Sequence, residues 1–337
     1  MKKLVFLLSI SIWIPQVIHA GSNAAAFLDI GVGGRAMGMA GTFVAIADDA
    51  TATYWNPAGI GRLSGPEFAV STTGSPLGDD KILGSEEGLS ADGDQHRYFS
   101  IVTPIGRGGN YGSAGLSFIQ FGLGEIEWRD SEYDPSPTLV EDKESAYILT
   151  YGIDVVPKEL MVGLDVKILQ QSFNGIDEAS ATAFSPDFGV LYAPRERLML
   201  GLAAQANTRM NWKNGHSDEI PAKTRIGAAY RFNKSALLAI ELRQKTDQSL
   251  KGHIGGEYTY TTKSGKGKRE KEILSLSLRA GIGDLEIEKR YGPRGSPAFS
   301  GGAGVAFRVS RARIKIDYGV ASENFGLQQR YSFGVSF

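Results

Sequence analysis

The stretch Arg313-Ile314-Lys315-Ile316-Asp317-Tyr318-Gly319-Val320 and the ending Tyr331-Ser332-Phe333-Gly334-Val335-Ser336-Phe337 decide the fold. In each, every second residue is aliphatic or aromatic, and the residue between is charged, polar or Gly. Successive side chains of a strand point to opposite faces, so period two gives one apolar face and one polar or small face. On a helix the same order would spread apolar residues around the whole axis.

Working outward, the pattern recurs. Leu274, Leu276 and Leu278 alternate with Ser275, Ser277 and Arg279. Leu238, Ile240 and Leu242 alternate with Ala239, Glu241 and Arg243. Leu164, Val166 and Ile168 alternate with Asp165 and Lys167. Fourteen such segments follow residue 65, at about 66–74, 96–105, 110–121, 144–155, 159–171, 181–193, 197–207, 221–233, 235–245, 249–260, 272–283, 298–309, 311–321 and 328–337. Most meet the ~9–11 residues a tilted strand needs to cross a bilayer. Soluble strands are shorter, at ~5–6.

The connections alternate too. The stretches 75–95, 122–143, 172–180, 208–220 and 284–297 are long and polar, while Gly106–Gly109, Val156–Lys158, Pro194–Glu196, Asn233-Lys234 and Ser310 are tight. Long loops at one rim and short turns at the other are the pattern of a membrane barrel. The short Thr246–Gln248 connection and the long basic one from Thr261 to Lys271 break the rule. In lipid only a closed sheet pairs every backbone amide and carbonyl. The expectation is an all-β chain, a 14-stranded antiparallel transmembrane β-barrel at residues 66–337. Its apolar face meets lipid, and Asp165, Lys167, Glu241, Arg243, Arg279, Lys315 and Asp317 point inward. Trp128, Tyr133, Trp212, Tyr291 and Tyr331 are candidates for the interfacial aromatic girdles.

Composition agrees. The chain of 337 residues has 36 Lys+Arg against 37 Asp+Glu, which argues against a nucleic-acid binder read from charge. It has no Cys, which excludes disulfides and thiolate metal sites. Gly is in excess, 43 residues against a usual ~7%, and suits close backbone approach. Residues 1–20 read as a secretory signal peptide, with Lys2-Lys3, an apolar run over 4–14 and a small residue, Ala20, at the cleavage position.

Residues 21–65 differ from the rest. Gly31-Val32-Gly33-Gly34-Arg35-Ala36-Met37-Gly38-Met39 and Ala45-Ile46-Ala47-Asp48-Asp49-Ala50-Thr51-Ala52 are rich in small residues. Asp48-Asp49 marks a helix start and Asn56-Pro57 a stop. The expectation is a plug packed against the barrel wall. Gly31 to Ala36 also spells G-x-G-x-x-A, but no βαβ pattern surrounds it, so a dinucleotide site is not expected.

The run Phe27 to Gly59 resembles the N-terminal signature of the PorV/PorQ family of outer-membrane proteins. The matching residues are Phe27-Leu28-Asp29-Ile30-Gly31 with Gly33, Arg35-Ala36 and Gly38-Met39, then Ala45 to Ala52, then Trp55-Asn56-Pro57-Ala58-Gly59. That family is similar to FadL-type barrels, which have fourteen strands and an N-terminal hatch in the lumen. The resemblance implies a hatch built on Gly31, Gly33, Arg35, Gly38, Asp48, Asp49, Asn56 and Pro57. It implies a bacterial outer-membrane location and a role as partner or escort for proteins exported by a type IX-like secretion route. The alternative it implies is a passive channel for hydrophobic small molecules, such as long-chain fatty acids. The ending at Tyr331, Phe333, Val335 and Phe337 resembles the signal that barrel-assembly machinery reads. Partners are then outer-membrane lipid, that machinery, and secreted proteins or hydrophobic small molecules.

Catalysis is not indicated. His96, His216 and His253 lie at no metal-ligand spacing. The acidic pairs Asp79-Asp80 and Glu86-Glu87 lack the register of a calcium loop. The reading is non-enzymatic, with no cofactor.

Overall fold

The computed structural model describes residues 24–74, 95–106, 109–128, 138–176, 179–246, 248–264, 271–288, 296–323 and 326–337. The expected signal peptide, the two acidic pairs, Tyr133, Tyr291 and the middle of the basic connection lie outside them. So does the side chain of Trp128.

The strands are β1 (Glu67–Thr73), β2 (Gln95–Pro104), β3 (Ser113–Trp128) and β4 (Thr138–Val156). Next come β5 (Leu160–Asn174), β6 (Ser180–Arg195), β7 (Leu198–Gln205) and β8 (Thr208–Trp212). These are followed by β9 (Ser217–Ile220), β10 (Lys223–Arg231), β11 (Ala236–Lys245) and β12 (Leu250–Ser264). The last four are β13 (Lys271–Glu288), β14 (Ala298–Val309), β15 (Ala312–Glu323) and β16 (Gly326–Ser336). All pairings are antiparallel: β1 to β7 pair in order, β6 also meets β8, β8 pairs with β9, β10 returns to β7, β10 to β16 pair in order, and β1 pairs with both β2 and β16. The sheet closes, leaving no edge around the wall.

The barrel has fourteen staves because β8 and β9 extend β7 and β10. Gln205 faces Lys223 and Thr208 faces Ile220, so one long hairpin runs from 198 to 231 with a break at 206–207 and 221–222. Gly201 points inward below the break and Met210 above it, an odd-to-even change that marks a bulge. The tip therefore bends. Met210 and Ile220 are buried, and Trp212 stacks on Phe173 at 5.9 Å and donates its indole N–H to Asp218 at 2.7 Å. Trp212 is thus a corrected expectation: the bulge turns it inward, away from a girdle.

Outside, the barrel is greasy. Leu149, Phe184 and Leu278 are 59%, 57% and 67% exposed, while Asp165, Lys167, Glu241 and Arg279 are buried. A closed sheet with its apolar face outward is the arrangement that a bilayer requires of a spanning sheet. Among the described residues no helix is long and apolar enough to cross a membrane. Tyr331, Phe333 and Val335 share the outer face of β16, opposite Thr72, Val70 and Phe68 of β1. Phe337 is exposed, and its amide donates to the Pro66 carbonyl at 3.1 Å.

Two expected loops are partly strand. The 122–143 connection contains the end of β3 and the start of β4, and the basic connection contains the end of β12. Pairing continues at these strand ends although the apolar alternation that marks a strand in sequence stops there.

Candidate functional site

Residues 24–63 lie against the inward face of the wall. The segment begins with a 3-10 turn at Ala26–Asp29, continues through α1 (Gly34–Met37) and α2 (Ala52–Trp55), and ends in a 3-10 turn at Pro57–Arg62. Asn56 ends one helical turn and caps the next, its Oδ1 accepting from the Ala58 amide at 3.2 Å. Asp49 Oδ1 accepts from the Thr51 amide at 2.9 Å before α2. Gly31 and Gly33 have φ of +79° and +81°, a left-handed backbone that suits Gly.

The wall meets this segment with glycine. Gly152, Gly163 and Gly189 are cross-strand partners on β4, β5 and β6, and Pro57 sits on them. Gly201 and Gly227 pair under Val44, Gly255 and Gly281 pair under Met39, and Gly302 and Gly319 pair beside Gly38. A Cβ on Gly163 would lie 2.3 Å from the Pro57 carbonyl carbon, and one on Gly189 2.1 Å from Asn56 Oδ1. The segment thus winds around the inside with its backbone against bare wall. The excess of Gly in the composition is spent here.

Charge then pins it. Arg35 donates to both carboxylate oxygens of Glu257, at 2.7 and 2.9 Å, and to Asp48 at 2.5 Å. Arg279 donates to Glu257 at 2.7 Å and pairs with Asp317 at 2.8 Å. Burial alone would push the Asp48 carboxyl up, but the Arg35 guanidinium holds it well below the usual carboxylate range. Glu241 accepts from the amides of Phe43 and Val44 at 2.9 and 3.0 Å, and Arg243 donates to the Gly41 carbonyl at 2.6 Å. Asn56 Nδ2 donates to Val44 O of the segment and Val190 O of β6 at 2.8 and 3.1 Å.

A second cluster lies near the bend of the long hairpin. Asp29 pairs with Lys223 on β10 and with Lys245 on β11, the latter at 2.8 Å. Burial opposes its ionisation, yet the two ammonium groups hold it well below its ordinary value. Arg225 lies over the rings of Tyr54 and Trp55, at 5.2 and 5.0 Å. A cavity of about 20 Å³ there is lined by Leu28, Tyr54, Trp55, Gln205, Lys223 and Arg225, among others.

Of the residues expected from sequence, Arg35 and Asp48 meet directly, with Asp49 at 3.6 Å, while Asn56 and Pro57 sit on the opposite wall. His96 and His253 are buried on strands and His216 is exposed in the hairpin turn. Sequence reasoning missed Asp29, Lys223, Lys245, Glu257 as the partner of Arg35, and the wall glycines. Gly at inward positions of successive strands was the available clue.

Three solved structures share this architecture. A FadL homologue from Pseudomonas aeruginosa is 13% identical, covers 91% of this chain and 98% of its own, and gives a TM-score of 0.54. The Pseudomonas putida toluene transporter TodX is 11% identical, with coverages of 91% and 96% and a TM-score of 0.55. The CymD monoaromatic hydrocarbon channel is 11% identical, with coverages of 91% and 97% and a TM-score of 0.54. Likeness at these identities establishes fold: the chain has the architecture of FadL-type outer-membrane barrels. No family model matches the sequence, and no curated protein does.

Proposed function

We propose that the protein is a passive, non-enzymatic channel of the bacterial outer membrane for hydrophobic small molecules. In this reading residues 1–20 are a cleaved signal, 21–65 the hatch and 66–337 the barrel. Structural neighbours that are hydrocarbon and toluene channels support it.

The observation that carries the reading is a fault in the wall beside the cavity. At one level of neighbouring strands the ladder lacks donors or partners. Pro186 on β6 has no amide hydrogen, residues 206–207 leave the strand, and Pro221 stands opposite. The Pro186 carbonyl is met by the Ala206 amide at 3.2 Å, and the Phe184 carbonyl by the Thr208 hydroxyl at 2.7 Å. Proline in a lipid-facing ladder removes a bond that lipid cannot replace. A solute leaving the cavity past Gln205 would meet this seam and pass sideways into the bilayer.

The seam can be stapled, since the chain has no Cys of its own. With Pro186→Cys and Ala206→Cys, hydrogen-bonded neighbours come within disulfide reach. Toluene uptake into proteoliposomes is expected to fall to the protein-free level when oxidised and to return on reduction. Uptake indifferent to the staple would sink the lateral route.

The similarity of residues 27–59 to the PorV/PorQ signature favours a second reading, an escort for exported proteins of a type IX-like route. Exported proteins crosslinked to this barrel in outer-membrane fractions, with no toluene uptake by the purified protein, would decide for it.

A further inference from the structure

Two residues along from the glycines that seat Pro57, the inward face of the wall carries a row of polar side chains. Thr150 on β4 faces Asp165 on β5, Asp165 faces Asp187 on β6, and Asp187 faces Gln205 on β7. Two carboxylates set directly opposite each other in a ladder repel. Asp165 is 0% exposed, so water does little to screen the pair.

One ammonium answers for both. Lys167 stands two residues from Asp165 on β5, is buried, and pairs with Asp187 Oδ2. The other cations lining the adjoining cavity are engaged, Lys223 by Asp29 and Arg225 by the rings of Tyr54 and Trp55. Both carboxylate oxygens of Asp165, and Asp187 Oδ1, are left without a hydrogen-bond partner. So are the hydroxyls of Thr150 and of Ser185, the residue facing Lys167, although both side chains are buried. Buried polar groups are costly unless paired, and buried charges more so. Five orphaned oxygens on three neighbouring strands therefore point to a ligand.

Its chemistry follows from the donors. Carboxylate and hydroxyl oxygens suit a hard cation. Two carboxylates and one ammonium leave one negative charge, which a monovalent ion neutralises and a divalent ion overshoots. Among the described residues no three His, Asp or Glu side chains gather into a metal site, which agrees with a weakly held monovalent ion. We propose that Asp165, Asp187, Thr150 and Ser185 form a sodium site in the barrel wall. Lys167 and Asp187 line the cavity, so the ion enters from the lumen. Once bound, it joins β4, β5 and β6 beside Pro186, where β6 lacks an amide hydrogen. Binding here does not depend on the channel reading.

The test is heat-modifiable migration of the purified full chain, in neutral detergent, as sodium chloride replaces choline chloride at fixed ionic strength. Choline keeps the screening constant and is too large to enter. The midpoint should rise by about 3 °C, the size expected of a ligand that binds only the folded state. In Asp165→Asn the rise should vanish, while the midpoint in choline should be no lower than that of the wild type, because the repelling charge has gone. Ser185→Ala keeps both carboxylates and should need about tenfold more sodium for the same rise. It carries the test if Asp165→Asn does not assemble. A wild-type midpoint indifferent to sodium would overturn the proposal, and so would an equal rise in wild type and Asp165→Asn. A midpoint that follows pH and not sodium would mean that the two carboxylates share a proton, and the proposal fails. It fails also if calcium chloride gives the same rise at lower concentration, since the site is then divalent.

Discussion

Gly163→Ala should produce a barrel that still assembles but no longer closes. The added methyl projects inward, so the lipid face and the ladder are untouched, and Ala fits a strand at least as well as Gly. Its Cβ would stand 2.3 Å from the Pro57 carbonyl carbon and 2.4 Å from the Ala58 amide nitrogen. Both are backbone atoms, so no side chain can rotate away. Overpacking of this kind costs about 1–3 kcal/mol where neighbours can shift. Here the neighbour is the 3-10 turn at Pro57–Arg62, which is itself capped by Asn56 and lodged against Gly152 and Gly189. The cheaper response is for that turn to lift off the wall. In planar bilayers the variant should show a standing conductance that the wild type lacks, with heat-modifiable migration retained. Gly256→Ala is the control, because a Cβ there would come no nearer than 3.7 Å to anything. A Gly163→Ala barrel as tight as the control would mean that the segment does not seal the lumen.

The same glycines mark how far sequence reaches. The fourteen segments are legible because a wall with one apolar face imposes alternation on each stave, as at Leu238–Leu242 and Leu274–Leu278. Gly in such a run reads only as weak strand. That Gly152, Gly163 and Gly189 stand side by side depends on the register of three strands, which alternation does not encode. Lys223 and Lys245 show the point sharply. Reading Asn233-Lys234 as a tight turn leaves the pairing open by one residue, and a one-residue slip would set Lys223 against Gln244. The structure makes a wider turn, with Phe232 N bonded to Ala236 O, and the two lysines face each other. The hairpin tip at 208–220 carries no strand signature in sequence because Pro221 and the bulge at 206–207 break its alternation at the point where it bends. Arg35 and Asp48 were visible as motif residues, but Glu257 lies 222 positions away from Arg35 and no local pattern connects them.

Arg35→Met should loosen the segment more than any other single side-chain change within it. Arg35 is the only tie between the Glu257–Arg279–Asp317 group of the wall and Asp48 of the segment among the described ion pairs. Met keeps much of the length and apolar stem, so packing against Phe43, whose ring lies 5.2 Å from the guanidinium, is largely preserved. What is lost is charge. Removing one partner of a buried pair costs about 3–5 kcal/mol, mainly because the carboxylates left behind lose compensation. Glu257 retains Arg279, whereas Asp48 keeps only Arg231, at 3.8 Å, among its described ion pairs. The expected result is protease access to residues 34–50 from the short-turn rim and a lowered temperature of heat modification. Adding Asp48→Asn should restore much of the loss, because the uncompensated charge disappears with its partner. If the two changes instead add, Asp48 is held by solvent and not by Arg35, and the segment is kept in place by its fit to the glycine wall alone.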